Sequence, residues 1–202
     1  MTVTHDPDAE YRLLIGGEWV AASGGTYPIV NPATEQVVGN APNATAADAE
    51  AAAAAAADAF EGWSRTPVVA RGEILRRATL LLLERQEAAA EIVHQETGKS
   101  LKDARGEVGA AIEMGFFIAG EGRRINGETI YSELASNFAY TLKQPLGVVA
   151  CITPWNFPVA IPVWKIAPAL VAGNTVVFKP ATALPATSTK LMEIFAEAGI
   201  PP

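Results

Sequence analysis

The sequence predicts an α/β fold: an incomplete parallel sheet with flanking helices, preceded by an N-terminal β-hairpin arm. Two observations place the sheet. Val148–Ile152 and Thr175–Lys179 are short apolar runs, and each is followed by a segment with helical spacing. That alternation is what a βαβ unit with a right-handed crossover requires. A third observation concerns the whole chain. Half of the 202 residues are hydrophobic and 18% are charged, which allows a buried core and excludes a wholly disordered chain. The length fits one large domain or two small ones.

Each element has a local cause. Residues 11–15 and 18–22 flank Gly16-Gly17 and read as a hairpin, because glycine accepts the positive φ that the turn of a twisted antiparallel pair demands. Residues 27–30 and 36–39, around Asn31-Pro-Ala-Thr, suggest a second extended pair, or else an irregular arm. Residues 45–61 are dominated by alanine and predict a helix, with Thr45 and Asp48 at capping-box spacing and Phe60 and Trp63 as packing residues. Thr66-Pro67 starts a helical pattern through Ile74, Leu75, Ala78, Leu81 and Leu82 that runs on through Ile92-Val93 to Gly98. Ser100 and Asp103 cap a third helix with Val108, Ile112, Phe116 and Phe117 on its apolar face. Residues 136–143 alternate polar and apolar, as a half-exposed strand does, and Pro145 ends it. Val148–Ile152 reads as a strand buried on both faces. A helix over residues 158–171 closes at Gly173, a second buried strand follows, and residues 185–198 form the last helix before Gly199. A third strand is expected where the sequence ends at Ile200-Pro201-Pro202. A two-stranded parallel sheet has open edges, so the sequence is expected to be the N-terminal part of something longer, or to need a partner that completes the sheet.

Composition excludes several functions. The net charge is −7 and no basic run exceeds Arg76-Arg77 or Arg123-Arg124, which argues against nucleic-acid binding. One cysteine precludes an internal disulfide and fits a reducing cytoplasm. Two histidines and that cysteine, far apart, do not make a structural zinc site. The polar, acidic first ten residues lack the blocks of a signal peptide. Residues 144–164 carry no Asp, Glu, Lys or Arg, but Pro145, Pro154, Pro158 and Pro162 make them soluble core rather than a membrane helix.

Neither strand is followed by Gly-x-Gly-x-x-Gly, and there is no Walker loop. The chemistry-bearing residues sit instead at the strand ends, where open α/β sheets bind ligands. Thr153-Pro154-Trp155-Asn156-Phe157-Pro158 follows the first strand, and its prolines stiffen the loop that carries Asn156. Asn156 is either a neutral donor to a developing oxyanion or a buried amide satisfying loop carbonyls. Lys179, leaving the second strand before Pro180-Ala181-Thr182, is either a hydrogen-bonding cation for ribose or phosphate or a solvated strand-end lysine.

Together Asn31-Pro-Ala-Thr, Glu96-Thr-Gly-Lys99, Pro154-Trp-Asn-Phe-Pro158, Trp164-Lys165, Pro168-Ala-Leu170, Gly173-Asn-Thr175 and Phe178-Lys-Pro180 resemble the N-terminal half of an NAD(P)-dependent aldehyde dehydrogenase. The resemblance covers nearly the whole chain. It implies a Rossmann-like cofactor-binding fold with a protruding β-hairpin. It also implies oxidation of an aldehyde to a carboxylate through a cysteine thioester, with hydride leaving to nicotinamide and a glutamate activating water. The resemblance makes Asn156 the side-chain half of the oxyanion hole and places Lys165 near the proton path. Ile152, Thr153, Pro154, Trp155 and Asn156 would line the cofactor groove, with Lys179, Pro180, Ala181 and Thr182 on the adenosine ribose. Strict NAD users of the family often carry glutamate where this chain has Thr182, so NADP is expected to be accepted at least as well as NAD. The family's nucleophilic cysteine and general-base glutamate lie beyond residue 202, and Cys151, inside an apolar strand, is not that nucleophile.

The resemblance further divides the chain into an arm and helical part (residues 1–126), an oligomerisation hairpin (127–145) and the first βαβα of the dinucleotide domain (146–202). It implies a homo-oligomer, dimer or tetramer, in the complete protein. The wording around Glu121-Gly-Arg-Arg124 resembles enzymes of carboxylate-bearing semialdehydes such as 2-oxoglutarate semialdehyde. Trp164 stands where many succinate semialdehyde enzymes place arginine. Arg123 and Arg124 read either as a carboxylate clamp or as helix-ending surface residues. The alternative function is a non-catalytic fragment acting as a nucleotide-binding or assembly module.

Overall fold

The computed structural model describes residues 6–202. Residues 1–5, which open the segment read as lacking a signal peptide, lie outside the described part. The arm begins with β1 (Leu13–Ile15) and β2 (Glu18–Val20), antiparallel about Gly16 and Gly17 at φ +57° and +82°. Next come β3 (Thr26–Val30) and β4 (Val37–Pro42), also antiparallel. Asn31 Oδ1 closes the turn between them by accepting from the Ala33 N–H at 2.8 Å. Ile29, Val38 and Ala41 form a small core of their own there, with Tyr27 packed against it.

Four helices follow: α1 (Ala46–Arg65), α2 (Val68–Glu84), α3 (Gln86–Thr97) and α4 (Leu101–Glu121). Asp48 draws the Thr45 N–H at 2.7 Å and the Ser23 hydroxyl at 2.7 Å, and these bonds, the Thr45 one foremost, hold its carboxyl below the usual range. Where the sequence pattern ran a single helix from Thr66 to Gly98, the structure has two. Arg85 leaves helical geometry at φ −106°, ψ +15°. Both helices pack on α4, so the apolar period continues across the break, and no glycine or proline marks it. Phe117 is another departure. It is 59% exposed, while its neighbour Phe116 packs on the core, because adjacent residues of a helix point about 100° apart.

Beyond α4, β5 (Thr129–Ile130) and β6 (Ala139–Tyr140) pair over two residues each. The strand expected over residues 136–143 is this short because its other residues face solvent and bury nothing. The βαβα segment is β7 (Val148–Ile152), α5 (Ala160–Val171), β8 (Thr175–Lys179) and α6 (Pro185–Glu197), with β7 and β8 parallel. Val149, Cys151, Val176 and Phe178 join the helices in the main core. Val148, Ala150 and Ile152 stay exposed, so β7 is apolar along its length yet covered on one face only. None of the helices is long and apolar enough to cross a membrane, among the described residues.

Two buried polar side chains fasten this segment. Arg71 donates to the carbonyls of Val171 at 3.0 Å, of Ser64 at 3.2 Å and of Thr66, binding together the C-terminal ends of α1 and α5, where helix dipoles favour a cation. Asn174 accepts from the N–H groups of Leu146 at 2.6 Å and Gly147 at 3.1 Å, and donates to the Ala169 carbonyl at 3.1 Å. It thereby sets where β7 begins relative to the end of α5. Asn174→Ala leaves the Leu146 and Gly147 N–H groups without their acceptor, while the Ala169 carbonyl keeps the main-chain N–H of residue 174 at 3.0 Å; the change is expected to cost about 2 kcal/mol, read as a lowered midpoint in urea unfolding.

Candidate functional site

The site is built on the edge where both parallel strands end. Ile152 lies opposite Lys179 in the β7–β8 register, and the Thr153 N–H donates to the Lys179 carbonyl at 3.2 Å, extending the ladder by one residue. The loop carrying Asn156 and the loop led by Lys179 therefore leave from the same rim.

On the first loop, Thr153 is buried, Pro154, Trp155 and Asn156 are exposed, and Phe157 stacks on Trp164 of α5 with centroids 6.5 Å apart. The Asn156 side chain makes no hydrogen bond among the described residues, and it is exposed. The buried-amide reading therefore fails, and a free donor remains. Its main chain is held instead: the Asn156 carbonyl accepts from Lys99 Nζ at 2.6 Å. Lys99 is paired at 2.6 Å with Glu107, whose side chain is fully buried. The other oxygen of Glu107 accepts from the Val159 N–H at 2.8 Å and the Ala160 N–H at 3.5 Å, at the start of α5, where helix donors lack partners within the helix.

The second loop has a matching support. Lys179 is exposed, and its ammonium has no partner among the described residues. Pro180 and Ala181 are half-buried, Thr182 is exposed, and the Thr182 carbonyl accepts from the Tyr27 hydroxyl at 3.0 Å. Buried Glu96 caps α6: its carboxylate accepts from the N–H groups of Ala186 and Thr187, both at 2.8 Å, and from the Thr187 hydroxyl at 2.6 Å. Burial pushes the Glu96 carboxyl up to about 7, against those three hydrogen bonds.

Glu96, Lys99 and Glu107, which hold the two loops and the helix starts, are not picked out by any local sequence rule. The first two belong to the segment Glu96-Thr-Gly-Lys99. Glu107 carried a signal, an acid among Ala104, Val108 and Ala111 on a buried helix face. Lys165 is exposed on α5. Cys151 is 3% exposed, and burial pushes its thiol up, with Lys165 partly opposing. Arg123 pairs with Glu73 at 3.3 Å and Arg124 with Glu121 at 2.7 Å, so both end α4 as surface ion pairs. No group of His, Cys, Asp or Glu able to hold a metal occurs among the described residues.

Comparison with known proteins matches residues 19–202 to the model of the aldehyde dehydrogenase family. The chain belongs to that family. It is 44% identical to an alpha-ketoglutaric semialdehyde dehydrogenase of Bacillus subtilis over 95% of its own length and 40% of the relative's. It is 40% identical to malonate-semialdehyde dehydrogenase 1 of Geobacillus kaustophilus over 100% of its length and 42% of the relative's. The crystal structure of an E. coli NADP dependent enzyme superposes with a TM-score of 0.92 at 39% identity, over 96% of this chain and 40% of the other. The chain thus spans about 40% of the length of these relatives.

The Glu96 cap has a pH signature. The folded carboxyl holds its proton more tightly than the unfolded one, so stability falls as pH rises from about 4.5 to about 7 and levels off above. The slope contributed is at most ~1.4 kcal/mol per pH unit. Urea midpoints measured from pH 5 to 8 should fall in the native protein and fall less in Glu96→Gln, which lacks the titrating group.

Proposed function

We propose that this chain is the N-terminal, cofactor-binding portion of an NAD(P)-dependent aldehyde dehydrogenase that oxidises a carboxylate-bearing semialdehyde to the acid. The observation that carries the reading is the pair of unpartnered polar tips, the Asn156 amide and the Lys179 ammonium, on one rim of the parallel sheet. The semialdehyde names of the relatives support the substrate class.

The residues present fit a nicotinamide dinucleotide. Lys179 offers an unpaired cation beside exposed Thr182, suited to ribose hydroxyls and phosphate. Ile152, Thr153, Pro154 and Trp155 lead from the end of β7 to Asn156, with Ile152 68% and Trp155 69% exposed as apolar surface suited to the rings. When bound, the dinucleotide supplies the hydride acceptor. Attack of a thiolate on the aldehyde carbon moves the carbonyl electrons onto oxygen. Asn156 Nδ2 donates to that oxygen, and being neutral it stabilises the negative charge without creating an ion pair that must be broken when the carbonyl reforms. Lys165, exposed on α5, is proposed as the group that carries protons to solvent. Thr182 puts no carboxylate against a 2′-phosphate, which favours NADP.

The hairpin of β5 and β6 is proposed as the assembly element of a homo-oligomer. Its exposed Ile130, Tyr131, Leu134, Phe138 and Tyr140 support that role. A cytoplasmic location is proposed from the single, unbridged cysteine. A non-catalytic nucleotide-binding module differs in one result, binding of NADPH without turnover of aldehyde.

In the full-length enzyme, Asn156→Ala should lower kcat about 10²- to 10³-fold while cofactor affinity is retained, measured by steady-state turnover and NADPH titration. Thr182→Glu should reduce kcat/KM for NADP at least ~10-fold relative to NAD, by like-charge repulsion with the 2′-phosphate. The ratio of the two cofactor efficiencies is the readout.

A further inference from the structure

We propose that Lys99, held in place by Glu107, is a positioning residue for the Asn156 amide. This rests on the oxyanion reading of Asn156 given above and adds to it the device that makes the amide effective.

The need for such a device follows from the loop. The Asn156 side chain makes no hydrogen bond among the described residues, so what the protein fixes is the direction of its Cα–Cβ bond, set by the main chain, from which χ1 and χ2 choose staggered rotamers. Pro154 and Pro158 restrict the residues at and just before them. Between them Trp155, Asn156 and Phe157 are exposed, and neither proline fixes the Asn156–Phe157 peptide plane. Lys99 does. Its ammonium bonds the Asn156 carbonyl at 2.6 Å and sits 5.1 Å over the Phe157 ring. Rotation of that peptide would break the first contact.

The lysine is itself fixed. Gly98, at φ +72°, ends α3 in the left-handed conformation and turns the chain toward α4. His94 Nδ1 bonds the Lys99 carbonyl at 2.5 Å. Glu107 pairs with the ammonium at 2.6 Å and holds Val159 and Ala160 through its other oxygen. One ion pair thus grips the loop at residues 156–157 and again at 159–160. The pair is neutral overall, so its contribution is geometric. Catalysis by a hydrogen-bond donor is that sensitive: a displacement of about 1 Å can cost ~10²-fold in rate.

The experiment is a double-mutant cycle in the full-length enzyme with Lys99→Met, Asn156→Ala and both together. Lys99→Met is expected to lower kcat about 10-fold or more with KM for the aldehyde changed less than ~3-fold. In the Asn156→Ala background the same change should have almost no further effect, because no amide remains to be misplaced. Lys99→Arg should recover most of kcat. Amide hydrogen exchange in the peptide covering residues 154–160 should quicken in Lys99→Met. Where that variant fails to fold, because Glu107 is left buried without its cation, Lys99→Met/Glu107→Gln carries the same cycle. If Asn156→Ala slows turnover while Lys99→Met does not, or if Lys99→Met costs the same factor in both backgrounds, the positioning role is overturned and the oxyanion reading survives. If Asn156→Ala itself leaves kcat unchanged, the oxyanion reading fails first and this proposal with it.

Discussion

A helix that follows a parallel strand begins with N–H groups that no residue of the helix can accept, and here two such helices begin at the site. Buried carboxylates of the α3–α4 pair satisfy them: Glu107 at the start of α5 and Glu96 at the start of α6. Removing a carboxylate from water is costly, and the two are sustained differently. Glu107 keeps a cation, Lys99, beside it. Glu96 has only neutral donors, and burial pushes its carboxyl up to about 7 against them. Fixing the helix starts fixes the loops that precede them, and those loops carry the polar tips.

The two tips are supported from different parts of the chain. The Asn156 loop is held by Lys99 and Glu107, at the joint of α3 and α4. The Lys179 loop leans on the same helix pair through Glu96 and also on the arm, through the Tyr27 hydroxyl and the Thr182 carbonyl. The arm and helical part are therefore structural supports for a rim formed 50 residues or more further along the chain. Family membership fits this dependence, since the match extends from residue 19 to residue 202 and takes in supports and rim alike.

Much of this was legible in the sequence where causes are local. Gly16-Gly17 makes its turn, Ser100 caps α4, and the runs at β7 and β8 form strands. The placement of Asn156 and Lys179 on one rim followed from strand order alone. What stayed hidden depended on partners distant in sequence. Glu107 meets Val159 across 52 residues, and Glu96 meets Ala186 across 90. No spacing rule connects such pairs. The bend at Arg85 was hidden for the opposite reason: the apolar period is continuous across it. The burial of β7 was over-read, because an apolar run shows which strands can be covered on both faces and not whether the covering layer is there.

Cys151 is the chain's one cysteine, it is buried on the covered face of β7, and its thiol is pushed up by that burial. An alkylating reagent at neutral pH finds little thiolate and no path to the sulfur while the helices stay packed on the strand. The rate at which this chain takes up such a label is thus a gauge of how often its strand–helix layer opens, with a reporter atom already built in and no other sulfhydryl on the chain to confuse the signal.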